Sequence, residues 1–455
     1  MKFKISSGLF IAFFSALLNF LILITYQMRM GGNFPYEDEW GYVDRLIHLD
    51  TMGFFQFLFH RYQIYFVPGL FAIWYFFYKF FHLSIMVIRI TGAATSAIFS
   101  FLICLVIIKS KIYLNKWDVF LIGSIPFVFC SLNYWASYNQ SIESIIQPFL
   151  AGCAFFSCWS GYKMMEDQGK SEAVLWSIAV VIFTFMALSM YAPALSILLA
   201  IAITRSLFLR KIDLMTILLG LGGLLVGLGY SYMGGGAYGH HILFIKGTTE
   251  KFLEEWILLF GNALITVGHK HSPIFHVLGI PITYGIRLAF DFLMGIALIT
   301  TLIALMVRVI FLPYDDRIKY FIPFSLSLYT LGVSLEIALA YHSPHFGESP
   351  RYAILMGGAP LSAILWGIYL KQRGVGSVGK WTQGFVLMCV FSTLFFVEKK
   401  MPQLNNFNMI KMEINNLNYP ITKDQQKIMK INDPLKDMVL PDIQFLKKNH
   451  LANFR

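Results

Sequence analysis

Three consecutive acids, Glu37, Asp38 and Glu39, stand among the aromatics Phe34, Tyr36, Trp40 and Tyr42, about ten residues beyond a long apolar run, Ile5 to Tyr26. A carboxylate beside low-dielectric surroundings holds its proton more tightly unless it is paired, which suits a general base. The plain alternative is a solvated loop with ordinary charges. Acids are sparse elsewhere in the apolar part of the chain, which favours a special role for this cluster. Arg45, Arg61 and Arg89 are the candidate partners. Clustered carboxylates are also a ligand set for a divalent cation, although these acids can work without one.

A second cluster is Glu348-Ser349-Pro350-Arg351-Tyr352, at the mouth of a later apolar run. An arginine there is costly unless an anion partners it, and its planar fork fits a phosphate. The alternative is an arginine that snorkels to anchor a helix at the headgroups. Arg89, at the start of another run, raises the same question. Asn139, Gln140 and Glu143 form a third polar patch, equally suited to capping a helix. Glu336 and Asp291 fall inside apolar runs and read as buried polar contacts. No phosphate-binding glycine loop, dinucleotide fingerprint, nucleophile elbow or Cys-x-x-Cys occurs, so nucleotide-driven chemistry has no support.

The elements that must position these residues are membrane helices. The chain is 57% hydrophobic and 13% charged, with a mean hydropathy of +0.63, whereas soluble domains carry about 25% charged residues. Apolar runs of bilayer length follow one another. After a first span that reads as uncleaved, with Lys2 and Lys4 at its cytoplasmic start, the spans fall at roughly 86–108, 117–136, 141–162, 173–190, 193–209, 213–233, 283–311, 320–341, 351–370 and 381–398. The fold expected is an all-α, polytopic transmembrane helical bundle of about eleven spans. The net charge of +11 does not signal nucleic acid, because Lys and Arg gather in short loops between spans. The five cysteines all fall in apolar runs and read as packing residues.

Charge sets the orientation. The loops with Lys109, Lys111 and Lys116, with Lys163 and Lys170, with Arg205, Arg210 and Lys211, with Arg308, Arg317 and Lys319, and with Lys371, Arg373 and Lys380 share one side if each span crosses once. On that rule the aromatic stretch Tyr65 to Phe81 lies in or re-enters from the outer face; the alternative is a true span that breaks the charge rule. A transmembrane domain at 1–400 results, with a first outer loop at 29–85 and a second at 234–282, followed by an extracytoplasmic tail at 401–455. That tail is either a small cap or partly disordered. The eleven histidines sit in or at the edges of outward segments, as their cost in lipid alone would explain.

The order of these motifs resembles the GT-C superfamily of integral-membrane glycosyltransferases, of the protein O-mannosyltransferase-like kind. Asp38-Glu39-Trp40 is followed by His60-Arg61-Tyr62, Val67-Pro68-Gly69-Leu70, an aromatic helix, Val87-Ile88-Arg89-Ile90-Thr91-Gly92, and later Ser349-Pro350-Arg351-Tyr352. The likeness covers residues 1–210 well and the rest loosely. It departs at Val67-Pro68, where the family often has a proline pair, and at Ser189-Met190-Tyr191-Ala192, where it often has a lysine. The resemblance implies a sugar donor on a polyprenyl phosphate, such as undecaprenyl phosphate, and a periplasmic glycan or lipid acceptor such as lipopolysaccharide O-antigen. It places the protein in a bacterial inner membrane, among membrane lipids, with the site facing the periplasm. Asp38 is the implied base, with Glu39 as helper or alternative. Glu37, Trp40, His60, Arg61, Arg89, Arg351 and Tyr352 are the implied substrate contacts. The competing readings are a flippase or transporter of lipid-linked sugars, which predicts charges near the bilayer midplane, and an O-antigen polymerase, which predicts basic outer loops.

Overall fold

The computed structural model describes residues 2–30, 35, 39–59, 67–110, 114–129, 141–166, 170–190, 194, 196–234, 249–264, 284–340, 358–371 and 436–452, and these are almost entirely helical. Among them, five helices are long and apolar enough to cross a membrane: Ile5–Met28, Ile85–Lys109, Ser171–Met190, Leu288–Ile310 and Tyr314–Glu336. Ser196–Leu209 and Leu214–Val226 are shorter apolar helices. The span expected at 381–398 lies outside the described residues. The architecture is an all-α helical membrane bundle.

The first helices fix which segments share an end. Strand β1 (Lys2–Phe3) pairs antiparallel with β2 (Leu114–Asn115), Lys2 opposite Asn115. Helix α1 (Ile5–Met30) leaves that strand, and α6 (Ile85–Lys109) ends five residues before β2. At 1.5 Å per residue each helix is nearly 40 Å long. The end of α1 and the start of α6 therefore lie together at the far end of the bundle. Everything between them, α2 (Glu39–Ile47), α3 (Leu49–Met52), α4 (Phe54–Phe59) and α5 (Pro68–Phe81), makes no net crossing. Helix α5 starts on a proline, whose fixed φ suits a first turn. It buries Leu70, Phe71, Trp74 and Phe77 and exposes Phe76 and Phe80.

The strand end is also the basic end. Arg317 donates to the carbonyls of Phe208 and Ile310, the latter at 3.0 Å, and Arg210 donates to Ile310 O at 3.4 Å. Tyr314 Oη reaches Met165 O at 3.3 Å. Tyr369 hydrogen-bonds Ser110 and sits 6.3 Å from the Tyr320 ring. The described edges of the five basic segments, at Lys109, Lys163, Arg205, Arg308 and Lys371, thus lie at that end.

The bundle continues through α7 (Lys116–Phe129), α8 (Glu143–Met165), α9 (Lys170–Met190), α10 (Ser196–Leu209), α11 (Leu214–Gly234), α12 (Thr249–Leu264), α13 (Tyr284–Ile310), α14 (Tyr314–Arg317), α15 (Phe321–Ala340) and α16 (Gly358–Lys371). Helix α8 packs against α6, α9 and α15. Its polar residues therefore face protein, as Ser157 Oγ does with Thr184 Oγ1 at 3.3 Å. Pro126 inside α7 has no N–H to give Ile122, and the Cys104 thiol reaches that carbonyl at 3.4 Å instead. Cys104, Cys153 and Cys158 are free and buried.

Two segments expected as outer loop or tail carry packed helices. Within 234–282, α12 lies antiparallel on α13: a Cβ on Gly261 would meet Asp291 O at 1.9 Å, and one on Gly295 would meet Ile257 O at 2.1 Å. Leu259 and Phe260 join the main apolar core, and Trp256 Nε1 donates to Ser334 Oγ at 2.8 Å. Within 401–455, α17 (Lys436–Lys448) packs on α2.

Candidate functional site

The acidic segment leads into α2, whose first residue is Glu39. Glu39 is fully buried. Its carboxylate reaches 102 residues along the chain to the start of α8. Oε1 accepts from Ser141 N at 2.6 Å, from the Ser141 hydroxyl and from Ile142 N at 3.2 Å. A helix N-terminus leaves N–H groups unpaired and carries partial positive charge. Glu39 supplies what a cap residue would, from another element. Ser144 Oγ donates to Ser141 O at 2.5 Å and tightens the same turn.

Helix α6 completes the junction. Gly92 faces Ser144 so closely that a Cβ there would lie 1.9 Å from Ser144 Oγ and 2.9 Å from Ser144 C. Only a glycine allows that approach. Arg89 precedes Gly92 by three residues, on the same helix face and nearer the acidic end, and is fully buried. The sequence thus brings Glu39, Arg89, Ser141 and Ser144 to one corner, at the opposite end from the basic loops. Gln147, one turn into α8, donates to Glu143 Oε2 at 2.7 Å.

The helices below this corner form a second apolar core. Trp40, Tyr42, Val43, Phe57, Phe71 and Trp74 share it with Ile443 and Leu446 of α17. Tyr42 meets Phe71 and Trp74 edge to face at 5.9 and 5.7 Å. Arg45, expected as a partner for the acids, has its guanidinium 3.7 Å above the Phe71 ring and donates to Phe57 O. It ties α2 to α4 and α5. Trp40, expected as a substrate contact, is fully buried, as is Trp74. Among the described residues neither indole N–H has a hydrogen-bond partner.

Of the expected site residues, Glu39, Trp40 and Arg89 are described. Glu37, Asp38, His60, Arg61, Arg351 and Tyr352 lie outside the described residues, as do Asn139 and Gln140. Among the described residues no group of three or more His, Cys, Asp or Glu side chains is placed to hold a metal ion. Sequence reasoning missed Ser141 and Ser144, and held Gly92 only as the last residue of the Arg89 motif. The spacing Ser141-Ile142-Glu143-Ser144 ahead of an apolar run is a helix-start cue, yet nothing local names Glu39 as the group that meets it. Compared with known proteins, the chain matches no family model, no curated protein and no solved structure.

Proposed function

We propose that the chain is a GT-C-type membrane glycosyltransferase. In this reading it takes a sugar from a polyprenyl phosphate such as undecaprenyl phosphate and passes it to a periplasmic glycan or lipid, lipopolysaccharide O-antigen being the favoured acceptor. The basic end faces the cytoplasm of a bacterial inner membrane, and the acidic corner faces the periplasm.

One observation carries the reading. Glu39 is locked onto the start of α8 in the same corner as the buried Arg89. Asp38 precedes Glu39 directly in the sequence. Asp38 is the general base: it accepts the acceptor's hydroxyl proton as that oxygen attacks the anomeric carbon. The bond from that carbon to the phosphate oxygen breaks, and charge builds on the departing lipid phosphate. Arg89 and Arg351 neutralise it, a large electrostatic contribution to catalysis. Glu39 is a positioning residue rather than a second base, since its Oε1 already accepts from three donors.

The transporter reading has one contact in its favour: Glu336, inside a span, accepts from the Ser196 hydroxyl. A carboxylate already held by a neighbouring helix serves equally as a packing contact. The test is transfer of sugar from the polyprenyl-phosphate donor in membranes that hold Asp38→Asn or Glu39→Gln. Asp38→Asn is expected to lose on the order of 10²–10⁴-fold. Normal transfer by both variants sinks the proposal.

A further inference from the structure

The C-terminal helix α17 is not a solvent-borne tail. It lies on α2, the helix that begins with Glu39. Ile443, Leu446, Leu451 and Ala452 enter the same apolar core as Trp40 and Tyr42. The Ala452 N–H donates to His82 O at 3.1 Å, which pins the chain beyond the helix to the turn between α5 and α6.

In the middle of this apolar contact stands Asp442. It is fully buried, and among the described residues neither carboxyl oxygen has a hydrogen-bond partner. The charge acting on it among them is a like one, Asp44 of α2. His48 of α2 sits 3.9 Å from Asp44 and is largely exposed. Arg45 of the same helix donates to Phe57 O and stacks on the Phe71 ring. His82 of the adjoining turn is exposed, as are Lys447, Lys448 and His450 at the far end of α17. Lys436 and Asp437 belong to the first turn of the helix. A sealed carboxylate facing another carboxylate is unfavourable, while the neutral acid fits.

We propose that α17 is a proton-dependent clamp on the acidic helix: Asp442 enters the interface as the neutral acid, and its ionisation releases the helix from α2. Burial, and after it the Asp44 charge, push the docked carboxyl up to about 9, whereas an exposed aspartate titrates near ~3.9. Between those values docking takes up a proton that release returns to solvent. The docked-to-released ratio therefore falls about tenfold per pH unit across that window and is flat outside it. The clamp holds the element that leads from the acidic segment, and low pH tightens it.

The proposal stands apart from the glycosyltransferase reading, because its test reads helix position and not transfer. Full-length protein in nanodiscs, its native cysteines replaced, carries spin labels at Thr51→Cys and Lys448→Cys, both exposed positions. Electron–electron distances are recorded from pH 5 to 9. A parallel set carries Leu446→Ala, which weakens the apolar contact and brings release into range. A longer distance is expected to grow in with rising pH, and Asp442→Asn is expected to hold the short distance throughout. Distances that ignore pH in both backgrounds overturn the clamp. So does an Asp442→Asn protein that follows the wild-type curve, which assigns the response to His48, His82 or His450.

Discussion

Adjacent carboxylates can serve opposite ends. Glu39 is spent on structure, holding the first turn of α8, and Asp38 is the neighbour left for chemistry in the proposed reaction. The division predicts different failures. Glu39→Ala leaves buried N–H donors at Ser141 and Ile142, at a cost of about 1–3 kcal/mol, and thermal unfolding in nanodiscs reads that loss as a lower Tm. Asp38→Asn is expected to leave Tm near wild type while transfer collapses. The acid triplet and Arg89 were legible in the sequence because charges stand out against apolar runs. The division of labour was not, since the partner of Glu39 lies 102 residues away. The aromatic seat of Arg45 was hidden for the same reason: it is made by α4 and α5, which no local pattern ties to it.

Among the elements, small residues set how closely helices approach. The α12–α13 seam brings backbone against backbone at Gly261 and Gly295. Neither carbonyl in the way can rotate aside as a side chain would. Gly261→Ala and Gly295→Ala are expected to cost at least the 1–3 kcal/mol typical of overpacking. Gly220→Ala, which meets nothing within 4 Å, is expected to be neutral or to gain up to about 1 kcal/mol from helix propensity; unfolding midpoints of the three variants rank them. Helix α12 was hidden in the sequence because Glu250, Lys251, Glu254 and Glu255 interrupt its apolar stripe. At the basic end, Arg205 and Thr216 hold the Asp213 carboxyl well below the usual range, more than offsetting its burial. That contribution is full above the ordinary carboxylate pKa near ~3.9 and fades as pH falls below it. The Tm gap between wild type and Asp213→Asn is expected to be widest at neutral pH and to close in acid.

Among the described residues, the edges of five basic loops meet at one end of the molecule, and the buried Glu39 and Arg89 occupy the other. That separation was legible from loop composition alone, because Lys and Arg avoid hydrocarbon and bias the side they occupy. The count of about eleven crossings was read from hydropathy, which also picked out α8 at 141–162 although its polar residues face protein. The β1–β2 pairing adds what hydropathy lacked, since it returns α6 to the starting end and leaves α5 without a net crossing. A cysteine at Phe80, which is 69% exposed, is expected to react from one face of sealed vesicles, and one at Lys319, which is also exposed, from the opposite face. Labelling of both from one face would contradict the arrangement.

The two unpaired indoles under the acidic corner carry a practical consequence. An indole shielded from water and hydrogen-bonded to nothing emits toward the blue, and emission moves red once an acceptor or solvent reaches its N–H. Trp40 and Trp74 are therefore a built-in optical reporter. With the other seven of the nine tryptophans replaced by Phe, the emission colour of this pair would follow release of the proposed clamp helix, with no dye attached.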